Sequence, residues 1–287
     1  MKTNKSIALS AILILLVGTI FTSCSKEEGC TDPAATNFNV DAEKDDGSCV
    51  YPADEPTNTV VEKSKLTFNF SHNFDGLPVS SLNFNQFNYV NLNGDTMSIS
   101  RLRYLISDIT LYKTNGDSLV LDGYQLVDLS KSMTLTYSPG EADWGSYSAI
   151  GFTWGFDSLD NQQNYIDLNS ANWNWPMMIG GGYHFLQLDG QFKDAGVPKP
   201  FNFHNGTASS MSVHEANHSY IKLPGVALNE RYVSVEIQMN IAEMFKNPYT
   251  WDFNTYSTML MPNYTAQKLI QKQMYSVFSY GNISQRK

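Results

Sequence analysis

Leu66-Thr67-Phe68-Asn69-Phe70-Ser71-His72 alternates apolar and polar residues without a break. A period of two is what a strand with one buried face requires, so Leu66, Phe68, Phe70 and His72 share a side and His72 points where the core residues point. The same reading extends outward along the chain. Asn93-Gly94 turns a hairpin within Tyr89 to Ile99, and Asn115-Gly116 joins a strand over Arg101 to Tyr112 with one over Ser118 to Leu129. Tyr147 to Phe156 places Ile150, Phe152, Trp154 and Phe156 in phase, and Tyr232 to Ile241 does so with Val233, Val235, Ile237, Met239 and Ile241. Further strands are expected over Gly182 to Leu188, Pro200 to His204 and Ser219 to Leu223. Short alternating strands separated by turn signals predict an all-β protein, an antiparallel β-sandwich. After Pro262 the period changes: Ala266, Leu269, Ile270, Met274 and Val277 keep helical spacing, so one amphipathic helix near the C-terminus should cross the sandwich.

Upstream of this domain the chain has a different character. Residues 1–23 carry Lys2 and Lys5, the apolar run Ile7 to Phe21 and then Cys24, the pattern of an export signal rather than of a structural helix. Ile20-Phe21-Thr22-Ser23-Cys24 resembles a bacterial lipobox, which implies cleavage before Cys24 and acyl chains on that cysteine, hence attachment to a membrane, the outer membrane for a lipoprotein of this type. Cys30 and Cys49 are then an even pair in an oxidising compartment, favouring one disulfide. The segment Gly29-Cys30-Thr31-Asp32 to Asp45-Asp46-Gly47-Ser48-Cys49 resembles a short module of Bacteroidetes surface proteins, so residues 24–50 are read as the lipidated cysteine and a small disulfide-stapled module. Asp41, Asp45 and Asp46 supply the oxygen donors calcium takes, without the spacing of an EF-hand. Residues 51–64, with Pro52 and Pro56, read as a linker, and 65–287 as the sandwich domain.

The formal charge of −9, with Lys and Arg totalling only 19 against 28 acidic residues, excludes a basic surface for nucleic acid. No nucleotide-binding or serine-nucleophile fingerprint is present, and no enzymatic activity is expected. His214-Glu215-Ala216-Asn217-His218 matches the string of a zinc protease, but its flanks alternate like strands, and that chemistry needs both histidines on one face of a helix.

The unusual side chains concentrate in Trp173-Asn174-Trp175-Pro176-Met177-Met178-Ile179-Gly180-Gly181-Gly182-Tyr183-His184. Imidazole and thioether are donors suited to copper, and indole is readily oxidised, so the stretch reads either as a copper-handling site or as a glycine-rich loop whose rings fill a core.

Taken together, the motifs resemble the MbnP-like copper-binding family. The matching residues are Phe68-x-Phe70-x-His72, Leu102-Arg103-Tyr104-Leu105-Ile106-Ser107-Asp108, Tyr147-x-x-Ile150-x-Phe152-x-x-Gly155-x-Asp157, Trp173-x-Trp175, Gly182-Tyr183-His184-Phe185-Leu186, Asp189-Gly190 and Phe203-His204-x-Gly206. The resemblance implies copper held by histidines together with a tryptophan oxidised to kynurenine by a dihaem cytochrome c peroxidase-like partner. It places the ligands first at His72 and His204, then at His184 and His218, and the oxidised ring at Trp173 or Trp175. The six residues between Trp175 and Gly182 exceed the family spacing. The alternative from another class is a metal-free surface lipoprotein that binds glycan or protein.

Overall fold

The computed structural model describes residues 26–52, 61–211 and 213–287. Cys24, the export signal and most of the expected linker lie outside the described residues. The chain divides into two units, the second beginning at Val61.

In the first unit Glu28–Gly29 pairs in parallel with Lys44–Asp45, and Cys30 is disulfide-bonded to Cys49. Asn37 ties the ends of the loop: its amide donates to Ser48 O and its Oδ1 accepts from Val50 N, each at 2.7 Å. Two of the three aspartates with oxygen donors of the calcium type serve turns. Asp45 accepts from Gly47 N and Asp46 from Ser48 N, and no cluster of three or more His, Cys, Asp or Glu able to hold a metal occurs among the described residues.

The second unit is the expected β-rich sandwich. Its strands are β1 (Lys63–Phe74), β2 (Thr96–Lys113), β3 (Ser118–Asp128), β4 (Thr136–Asp143), β5 (Gly145–Trp154), β6 (Leu186–Asp194), β7 (Val197–Asn205), β8 (Thr207–Ser210), β9 (Val213–Ala216), β10 (Ser219–Pro224), β11 (Tyr232–Asn240) and β12 (Phe278–Arg286). The short helix α1 spans Ile166–Ser170 and α2 spans Tyr264–Gln273. The larger sheet runs β7-β6-β2-β5-β10, with β3 on the other edge of β2; the smaller runs β12-β11-β1, with β4 also on β1. β1 and β11 are parallel, the one pairing of labelled strands here that is not antiparallel.

The expected alternation holds where it was clearest: Leu66, Phe68 and Phe70 of β1 and Val233, Val235, Ile237 and Met239 of β11 are buried in one core with Leu102, Tyr104, Leu186, Leu188 and Phe203 of the facing sheet. The expected hairpin at Asn93-Gly94 forms, with Tyr89–Val90 paired to Thr96 and Met97, and its second arm continues through Arg101 as the single 18-residue β2, which bends at a register shift near Asp108, a non-glycine residue with φ 53°. The β8–β9 hairpin, β4 and β12 are further strands. β9 falls on the zinc-protease string, so His214 and Glu215 lie on a strand and not on a helix. α2 is capped by Asn263, whose side chain accepts from Ala266 N, and buries Ala266, Ile270 and the following Met274. The polar Gln267, also fully buried, donates to the carbonyl of His204 at 2.8 Å, so the helix holds the end of β7 as well as covering the core.

Candidate metal centre

Strand alternation sorts the candidate histidines. In the antiparallel register Tyr104, Leu186 and Asn205 stand opposite one another, as do Arg103, Gln187 and His204 one position away. Adjacent residues of a strand point to opposite faces, and Tyr104, Leu186 and Leu188 are core residues. Arg103, Gln187 and His204 therefore occupy the outer face of the larger sheet, together with Arg101, Asp189 and Asn202.

His72 lies on the inner side. Its Nε2 is hydrogen-bonded to the buried Tyr104 hydroxyl at 3.1 Å, and burial pushes its pKa down to about 4. The expectation that His72 and His204 share one ion is thus overturned, because the backbone of the larger sheet lies between them. The phase that made His72 attractive as an inward residue makes it a core histidine. His218 is not packed with the rings of His184 or His204 either; it precedes β10, near Asp108, with its carbonyl accepting from Gln271.

What His204 does meet is His184. Their rings are 5.3 Å apart and nearly perpendicular, with Trp175 4.9 Å and Trp173 5.5 Å from His184. The segment 173–185 lies over the outer face of the larger sheet. His184 N donates to Trp173 O, Trp175 N to Gly182 O and Phe185 N to Asn205 O, which makes an irregular hairpin against the end of β7. The turn of that hairpin needs its glycines. Gly180, Gly181 and Gly182 all have positive φ, and a Cβ at Gly182 would lie 2.3 Å from the Asn161 side chain. Gly206 serves in another way, since a Cβ there would meet the Trp175 ring at 2.3 Å. Both indoles are buried, Trp173 beneath the Arg103 guanidinium at 4.8 Å from its ring centre.

The polar groups beneath complete the centre. His204 Nε2–H donates to Asp189 Oδ1 at 2.7 Å, and Asp189 also accepts from Asn202 and pairs with Arg101 at 3.0 Å. Burial works against ionisation of Asp189, yet the contacts from His204, Asn202 and Arg101 hold its carboxyl below the usual carboxylate range. Arg103 faces Asp128 at 3.5 Å and donates to Gln187 and to the carbonyl of Ala171, at the end of α1. His184 is held neutral: burial first, then the neighbouring His204 and Arg103, lower its pKa to about 3.

Four buried atoms in this cluster have no hydrogen-bond partner, His184 Nδ1, His204 Nδ1, Trp173 Nε1 and Arg103 Nε. Leaving a buried polar atom unpaired costs about 1–3 kcal/mol. Two such atoms are imidazole nitrogens in adjacent rings, and with Nε2–H given to Asp189 the lone pair of a neutral His204 ring lies at the free position. That donor set suits a metal that accepts nitrogen ligands in low number. It does not suit calcium, which takes six to eight oxygens, or structural zinc, which takes four protein ligands. Asp189, Arg103, Gln187 and Asn202 were not among the expected ligands. Their signal was present in the outward phases of Arg101-Leu102-Arg103, Gln187-Leu188-Asp189 and Asn202-Phe203-His204, but only the register joins them.

The MbnP family model matches residues 63–262, which span the sandwich, the histidine pair and both indoles. The chain belongs to the MbnP family. Its fold is similar to the solved structure of MbnP from Methylosinus trichosporium, with a TM-score of 0.53 and 12% identity over 77% of this chain and 99% of that one. Comparison with curated proteins gives no match.

Proposed function

We propose that this MbnP-family chain is an extracytoplasmic copper-binding lipoprotein that holds the ion between His184 and His204, for acquisition or handling of the metal. The observation that carries the reading is the pair of buried, unpartnered Nδ1 atoms in rings 5.3 Å apart. Imidazole suits copper, and two donors fit the cuprous ion, which is stable at low coordination number. The charges around the pair point the same way: Arg101 and Arg103 balance Asp189 and Asp128, so nothing there compensates a doubly charged ion. Asp189 fixes the tautomer of His204, the usual task of a carboxylate behind a ligating histidine. Trp173 and Trp175 keep water from the pair, and whichever of the two is oxidised would meet the ion's surroundings through His184. A dihaem partner would supply that oxidation, and the export signal ending at Cys24 supports attachment to the outer membrane; no helix among the described residues is long and apolar enough to cross a membrane.

A metal-free binding role finds less support. The large cavity beside the centre is walled by Trp175 and Tyr183, but both rings are buried and offer no open face for a sugar.

The test is metal analysis of protein isolated from an envelope fraction, with cuprous affinity measured against a colorimetric chelator. One copper per chain is expected, lost in His184→Ala and in His204→Ala and kept in His72→Gln. Zinc in its place, or equal copper content in all four proteins, would overturn the reading. Peptide sequencing over 172–183 separates an oxidised tryptophan from oxidised Met177 or Met178.

A further inference from the structure

A cavity of about 680 Å³ is lined by Trp175 and, among others, by Met177, Gly181, Asn161, Thr207 and His214, and not by His184. Methionine is ordinarily a core residue, yet Met177 is 84% exposed, and its neighbour Met178 and Met211 at the tip of the β8–β9 hairpin are more so. Met177 opens a 3₁₀ turn, Met177–Ile179, that lies against β8: Ile179 O accepts from the Ser209 hydroxyl, and Gly180 sits beside Thr207. The sulfur of Met177 folds back over Gly181, 2.7 Å from the position a Cβ would take, so it borders the cavity.

Ser209 also decides the state of His214. Its single proton is committed to the Ile179 carbonyl, so in its 2.9 Å contact with His214 Nδ1 the hydroxyl oxygen accepts and the ring donates. A neutral imidazole that carries its proton on Nδ1 has its lone pair on Nε2, here on an exposed ring lining the same cavity as a thioether. Thioether and imidazole together are a donor set for a soft monovalent ion.

We propose that Met177 and His214 form a second, surface site for a soft monovalent metal, cuprous or silver, separate from the buried histidine pair. Trp175 belongs to both surroundings: it lines the cavity, and its ring centre is 4.9 Å from that of His184. The surface site thus stands where an ion arriving from solvent would be taken up before reaching His184 and His204. That role as entry point rests on the copper reading above, whereas the existence of the site does not.

The experiment titrates silver(I), in chloride-free buffer, into the full mature protein carrying ¹³C-methyl methionine, following methyl and histidine ring resonances. Two ions are expected, one shifting the Met177 methyl and the His214 ring. Met177→Leu and His214→Phe should each weaken that binding step by roughly tenfold or more, and His184→Ala/His204→Ala should remove only the other step. Both surface residues are exposed, so their variants keep the fold, which circular dichroism verifies. A Met177 methyl that does not move, or silver binding unchanged in Met177→Leu and His214→Phe, would overturn the surface site. Loss of nothing in His184→Ala/His204→Ala would instead count against the buried centre, so the two failures are told apart.

Discussion

A neutral histidine that donates Nε2–H to a buried carboxylate presents a lone pair at Nδ1, and Asp189 is the carboxylate placed to select this tautomer in His204. Removing it leaves the ring in place on β7 but free to choose the other tautomer or rotate. Asp189→Ala is therefore expected to lower cuprous affinity by roughly 10- to 100-fold, read by chelator competition, with the circular dichroism spectrum unchanged. His72 makes a different kind of prediction. Its pKa falls from 6.5 in the unfolded chain to about 4 in the fold because the ring is buried. On lowering the pH the unfolded state takes the proton first, so the contribution to stability is complete above 6.5 and is lost as pH drops towards 4, by about 3 kcal/mol. Urea unfolding of the metal-free protein at pH 7.5 and pH 4.5 checks this, with His72→Gln expected to show a shallower decline than the parent. At this scale the sequence was a partial guide. The inward phase of His72 was readable and correct as a direction, but the same direction separates it from His204, which stands in the outward phase beside Phe203.

The segment from Trp173 to Phe185 is the element on which the centre depends, and its conformation is set by glycines on both sides. Gly206 is needed for what lies over it rather than for its own backbone: Gly206→Ala would press a methyl group into the Trp175 ring. Overpacking of this kind costs about 1–3 kcal/mol. The expected result is a lower urea midpoint together with an altered near-ultraviolet spectrum, while Gly76→Ala, where a Cβ meets nothing but φ is 87°, lowers the midpoint through backbone strain and changes the spectrum little. That the stretch held the unusual chemistry was legible from its concentration of indole, thioether and imidazole. That the His184 ring, among the candidate histidines, would be the one facing His204 was not, because the pairing depends on where an irregular hairpin returns to the sheet. A hydrogen bond from Phe185 N to Asn205 O is not a feature of either segment alone.

At the scale of the molecule, the sandwich and the C-terminal helix followed from periodicity, since burial on one face leaves a period in the sequence that folding cannot hide. β4 and β12 left weaker traces: Thr136-Tyr137-Ser138-Pro139-Gly140 and Phe278-Ser279-Tyr280-Gly281 interrupt their alternation with proline and glycine, and much of β12 is exposed. The two units make a further prediction. Closing the loop between Cys30 and Cys49 stabilises the small unit by about 3 kcal/mol on the chain-entropy model. Reduction is expected to abolish hydrogen-exchange protection in residues 26–50 and to leave the melting temperature of the sandwich where it was; a parallel fall in both would refute their independence.

The parallel pairing of β1 with β11 also bears on how the protein comes to be folded. Strands that lie side by side here are more than 150 residues apart in the chain, from Lys65 beside Tyr232 to Asn73 beside Asn240. A chain emerging N-terminus first can join β1 to β4 and to the short strand Leu77–Pro78 early, but its smaller sheet lacks β11 and β12 until Tyr232 to Asn240 has appeared, and the larger sheet has no complete cover for its apolar face until then. Contacts of such high sequence separation slow folding and prolong the exposure of unpaired edges. Nearly the whole polypeptide must therefore be made before β1 finds its last neighbour, and the chain needs protection from aggregation throughout that interval.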